Sequence, residues 1–133
     1  MFSPDGRSVA YMSDESGSWE IYVRSFTPPA ATGSSPAGPK RLVSKGGGTG
    51  PRWRGDGKEL FYLALDGKIM AVKVTTGPVF DSGVPQLLFP LPSNRVWWDV
   101  DANGQRFLVA IPVAPGTPPP FTVVRNWQQG LKR

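Results

Sequence analysis

Short apolar runs alternate along this chain with clusters of Gly, Pro, Asp and Ser. That pattern predicts strands and tight turns, not helices. Val9 to Met12 reads as one strand. Trp19 to Arg24 reads as the next, with Trp19, Ile21 and Val23 on one face. Leu60 to Leu63 and Ile69 to Val74 follow, joined through Asp66-Gly67, a two-residue hairpin signal. Arg41 to Val43 and Gln86 to Phe89 are expected as outer strands. Phe107 to Ile111 and Phe121 to Trp127 complete the series. Thr27 to Lys40 and Ala114 to Pro120 read as long surface loops rich in Pro, Ala, Gly, Ser and Thr.

The pattern repeats. Phe2 to Tyr11, Trp53 to Tyr62 and Val100 to Val109 each run from a large apolar residue through Asp/Asn-Gly and a long polar residue into a β-rich stretch. The glycines recur at a period of roughly 50 residues, the scale of a propeller blade. In the first copy Pro4 presets φ, Asp5 tolerates the next turn position and Gly6 supplies a positive φ. Asp56-Gly57 and Asn103-Gly104 carry the same turn chemistry. The expected fold is therefore all-β: a partial β-propeller of about three four-stranded antiparallel blades in a single domain, 1–133. The units fall at about 1–45, 46–92 and 93–133. The first lacks part of its inner strand and the last its outer one. A closed ring needs ~4–8 blades. The chain is thus expected to be a stretch of a longer propeller or to assemble with copies of itself.

Composition narrows the chemistry. Gly (16) and Pro (15) are frequent enough to mean either disorder or many turns. Five Trp, seven Phe and three Tyr decide for turns, because disordered chains have few aromatics to bury. The absence of Cys and His removes disulfides, thiol nucleophiles, Cys/His zinc sites and imidazole-based triads. Most carboxylates sit in turns, and none is paired at a spacing suited to acid/base work. No catalytic residue, metal or cofactor is expected, and the chain reads as non-enzymatic. The net charge of +5 is dispersed, which favours solubility. No apolar run approaches the ~18 residues of a membrane span, and the N-terminus lacks the pattern of a signal peptide.

Several motifs invite a functional reading. Asp99-Val100-Asp101-Ala102-Asn103-Gly104 opens like a calcium loop, but its twelfth position is Ala110, which has no side-chain oxygen. Lys45 to Gly50 is glycine-rich like a phosphate cradle, yet it leads into Pro51 and a strand, and reads better as a connector. Arg54-Gly55-Asp56 spells an adhesion tripeptide whose Asp-Gly the repeat turn already explains. Arg52-Trp53-Arg54, with Lys40-Arg41, suggests nucleic acid, but the repeat places Trp53 in the core with Phe2 and Val100, so no nucleic-acid partner is expected. A sharper expectation is that Arg52 and Arg54 face Asp99 and Asp101 of the next unit across a blade junction. Trp97-Trp98 should place one ring inside and one outside, because strand neighbours alternate. These six residues, Arg52, Arg54, Trp97, Trp98, Asp99 and Asp101, are the candidate site for a protein or small ligand.

The aromatic residue ahead of Asp-Gly, the long polar residue after it and the apolar alternation resemble the TolB-type, WD-like propeller repeat. Phe2 to Phe26, Gly46 to Trp53, Asp56 to Val74 and Val123 to Trp127 look like the C-terminal propeller of bacterial serine/threonine kinase-like proteins. The third unit departs from the repeat, with Ala102-Asn103 where Pro-Asp is common. The resemblance implies a sensor or binding module, extracytoplasmic in location. A regulatory propeller of a prolyl-oligopeptidase-like peptidase and a purely structural self-assembling array are the alternatives.

Overall fold

The computed structural model describes residues 1–26, 38–76, 79–113 and 121–125. Most of the first expected loop (27–37), all of the second, and the expected strand end at Asn126 and Trp127 lie outside them. The described residues form an all-β, antiparallel fold of three sheets, with no helix and no closed barrel. Sheet 1 is β1 (Ser8–Ser13), β2 (Glu20–Ser25) and β3 (Lys40–Leu42) in that order. Sheet 2 begins with β4 (Thr49–Trp53), β5 (Glu59–Leu63) and β6 (Lys68–Thr75). The two-residue β7 (Asp81–Ser82) and then β8 (Gln86–Pro90) both pair with β6. Sheet 3 is β9 (Trp97–Val100), β10 (Arg106–Ala110) and β11 (Phe121–Arg125).

The repeated turns are built alike. Gly6, Gly57 and Gly104 have φ of 71°, 72° and 72°. Each donates its N–H to the carbonyl three residues back, on Ser3, Arg54 and Asp101. Those three residues donate in turn to the carbonyls of Ser8, Glu59 and Arg106. The middle side chain closes each loop: Asp5, Asp56 and Asn103 accept from the amides of Arg7, Lys58 and Gln105 at 3.0, 2.9 and 3.0 Å. An Asp or Asn that caps its own turn satisfies a backbone donor that the ladder leaves over. The pairing that follows keeps step, with Phe2 opposite Val9, Trp53 opposite Leu60 and Val100 opposite Phe107.

Sheet 2 is the middle layer. Leu60, Tyr62, Val72 and Val74 pack with Trp53 against Ala10, Ile21, Val23 and Val43 of the sheet 1 region. Phe61, Ile69 and Ala71 point the opposite way and pack with Leu88 against Trp98, Phe107 and Val109 of sheet 3. Strict alternation along β5 and β6 thus feeds two cores from one hairpin. Each fully buried large apolar side chain contributes about 1.5–3 kcal/mol. Pro51 sits in the edge strand β4, where the register to β5 shifts between Thr49 and Arg52. An edge with a bulge is where a residue lacking an N–H fits.

Four local expectations need correction. The β5–β6 connection is a three-residue loop, Leu65-Asp66-Gly67, closed between Ala64 and Lys68, and not a two-residue hairpin. Gly67 at φ 88° supplies the bulge. Trp19 precedes β2 and is 43% exposed, while Tyr22 joins Ile21 and Val23 among the buried residues. Phe2 does not share Trp53's burial and is 55% exposed, because no described sheet covers that side of sheet 1. Val43 and Ile111 fall one residue beyond their strands, although Val43 stays buried and donates to the Ile21 carbonyl at 2.8 Å.

Candidate functional site

The first strands of sheets 2 and 3 bring three candidate residues together. Arg52, on β4, pairs with Phe61 and so faces sheet 3. Its Nε lies 3.5 Å from Asp99 Oδ1, and its guanidinium sits over the Trp98 ring, 5.3 Å from the centroid. Trp98 is 5% exposed and stacks on Phe107, whereas Trp97 is 44% exposed on the other face. The result is a cation held between a buried indole and a half-exposed carboxylate.

Arg54 and Asp101 do not join that cluster. Arg54 grips Asp56 with two hydrogen bonds of 2.8 Å and Glu59 with one of 2.9 Å. Asp101 accepts from the Gln105 and Arg106 amides and from Arg106 Nε at 2.9 Å. The expected Arg54–Asp101 pair is therefore corrected to two pairs, each inside its own turn. Local closure wins because the turn delivers partners two to five residues away with no loop left to order.

The remaining motifs lie as follows in the fold. Asp101 and Asn103 spend their oxygens on the turn, and Asp99 accepts from the Val100 amide at 2.8 Å. Among the described residues no group of three or more metal-binding side chains converges. The Arg54-Gly55-Asp56 tripeptide is folded onto itself by the Arg54–Asp56 fork. Lys45 to Gly48 connect the sheets and Thr49 and Gly50 open β4: the Gly48 amide donates to the Trp19 carbonyl at 2.7 Å, and a Cβ there would lie 2.7 Å from the Tyr62 ring. Glu20 accepts from Ser44 Oγ and from the Gly47 amide, fixing the passage from sheet 1 to sheet 2. Trp53 is buried, and its Nε1 donates to the Met1 carbonyl at 3.0 Å, so its ring is not offered to a base. No helix among the described residues is long and apolar enough to cross a membrane.

A cleft of about 510 Å³ opens at the turn end of sheet 2 and was not foreseen. Arg54, Lys58, Glu59, Lys73 and Thr76 line it. Glu59 and Lys73 face each other across β5 and β6, a pairing legible only once the loop length is known. Two carboxyls there move in opposite directions. The Arg54 hydrogen bonds and the Lys58 amide hold Asp56 down to about 2. Burial pushes Glu59 up, against the pull of Arg54 and Lys73. Asp101 also lies below its ordinary value. Burial works to raise it, and the Arg106 guanidinium with the two turn amides outweighs that.

The junction between sheets 2 and 3 is tied at the same end by the Gly55 amide, which donates to the Ala102 carbonyl at 2.7 Å. Neighbouring turns are thereby held side by side. No protein-family model matches the chain, and no curated protein is significantly similar to it.

Proposed function

We propose that the chain is a non-enzymatic recognition module built as part of a β-propeller of the TolB-like, WD-like kind. Its sheets are blades arranged around a shared axis, with β4 and β9 innermost. A protein or small charged ligand binds at the rim where Arg52, Trp98 and Asp99 meet. The observation that carries this reading is the Arg52–Asp99 contact across the junction of two sheets whose turns and registers repeat. An ion pair this exposed contributes only ~0–1 kcal/mol to stability. It can open for a ligand at little cost to the fold.

A double-mutant cycle on Arg52→Ala and Asp99→Ala should return a coupling below about 1 kcal/mol in urea unfolding. Calorimetry against charged small molecules and short charged peptides should yield ligands whose affinity falls at least ~10-fold, about 1.4 kcal/mol, in Arg52→Glu. The control Arg41→Glu, on the exposed outer strand of sheet 1, should leave the affinity unchanged. Ligands indifferent to Arg52→Glu, or a panel that yields none, count against the rim as the site.

A further inference from the structure

Equivalent positions of the three repeats meet different surroundings. Trp53, Leu60 and Tyr62 face sheet 1 and are buried. Val100, Phe107 and Val109 face sheet 2. Their counterparts in the first repeat are Phe2, Val9 and Tyr11, on the outward face of sheet 1. Phe26 meets Phe2 edge-on at 5.1 Å, and Tyr22 stacks on Tyr11 at 5.9 Å. Leu42, opposite Tyr22 in the ladder, is 55% exposed. This face has the build of one that the chain covers twice elsewhere.

The other end of the stack is its complement. Trp98 and Val109 point to sheet 2, so Trp97, Leu108 and Ala110 point outward from sheet 3, while the Asp99 carboxylate turns back to Arg52. Asp99, Leu108 and Ala110 stand where Arg52, Phe61 and Leu63 stand in sheet 2, the positions that cover sheet 3. A second observation concerns charge. Arg24 lies opposite Val9 on the outward side of sheet 1. Its buried Nε meets no acceptor among the described residues. A buried donor without an acceptor is costly.

We infer that the outward face of sheet 1 is the seat for the outward face of sheet 3 of a second copy of this chain. The step from sheet 1 to sheet 2 and the step from sheet 2 to sheet 3 match in register and in the faces used. A further step from sheet 3 calls for a face built like those of Trp53 and Val100, and sheet 1 carries one. The contact is heterologous, so it either closes or extends. Closure at two copies, six sheets in all, rests on the propeller reading.

Light scattering on the intact chain, with Phe2→Lys and Trp97→Asp as exposed-face variants, tests this. Wild type should associate, and each variant alone should be a monomer with unchanged far-UV circular dichroism. An equimolar mixture of the two should pair, because each brings one intact face. A folded, monomeric wild type overturns self-pairing and leaves the propeller reading standing. Variants that associate as wild type does, or a mixture that stays monomeric, also overturn it. A wild type larger than a dimer, with the same variant behaviour, upholds the contact and sinks the two-copy ring.

Discussion

The two junctions of the stack share a backbone plan and differ in their filling. Between sheets 1 and 2 the core is largely aliphatic, with Ile21, Val23, Val43, Leu60 and Val72 around Trp53 and Tyr62. Between sheets 2 and 3 it is an aromatic knot. Phe107 meets Phe61 edge-on at 5.3 Å and Phe89 edge-on at 5.0 Å, and it stacks with Trp98 at 6.4 Å. Edge-to-face rings add about 0.5–1.5 kcal/mol per pair beyond area burial. The second junction therefore gathers its ring contacts on one residue, Phe107, while the first sets Trp53, Tyr62 and Phe80 among aliphatic side chains. Matching ladders specify where a side chain points and leave open what fills the gap.

The largest expected effect breaks the second junction. Phe107→Ala removes a fully buried ring and should cost about 3–5 kcal/mol in urea unfolding, against about 0.5–1.5 kcal/mol for Ile21→Val at the first. Similar losses at the two sites would erase the contrast.

A subtler comparison uses the turns. Gly6→Ala and Gly104→Ala impose the same strain of a positive φ, about 1 kcal/mol. At Gly6 a Cβ meets nothing within 4 Å, but at Gly104 it meets Phe61 Cζ and Arg54 Cδ at 3.0 Å. Thermal unfolding should show Gly104→Ala as the worse by about 1 kcal/mol or more. Equal melting shifts would mean that the aromatic knot yields.

These turns were the most legible part of the sequence, because Asp-Gly and Asn-Gly encode a backbone need at the residue that meets it. The strands of the repeat were legible from alternation. Burial was not: Phe2 and Trp53 hold the same repeat position, and only a neighbouring sheet separates their fates. The length of the Leu65-Asp66-Gly67 loop was hidden because Asp66-Gly67 alone spells a two-residue turn, and the loop also takes in Leu65, 54% exposed. The two-residue β7 has no period to detect. For the candidate site, Arg52 and Asp99 followed from repeat alignment. Arg54 was misassigned although a signal existed: it stands five residues before Glu59, as Ser3 stands before Ser8 and Asp101 before Arg106, and those are the positions that close each turn.

The smallest effect is electrostatic. Arg54→Met should raise the Asp56 carboxyl from about 2 towards its ordinary 3.8, and should push Glu59, already raised by burial, higher still. NMR titration reads both. A depressed folded-state value means that the Asp56 contribution is complete above pH 3.8 and is lost as pH falls through about 2. The Asp56 part of the wild-type advantage over Arg54→Met should fade across that window, and it should be small because solvent screens Asp56. A shift of Asp56 in the opposite direction would remove Arg54 as its cause.

Arg7, Lys58 and Gln105 occupy one place in three successive turns, and each donates its amide to the loop, while the Arg7 and Lys58 charges add a weaker pull on the neighbouring carboxylate than the hydrogen bonds do. The polypeptide spine asks nothing of their chemistry. Evolution can thus rewrite this row of side chains one letter at a time without disturbing the scaffold beneath, and a new specificity arising there would carry little folding penalty.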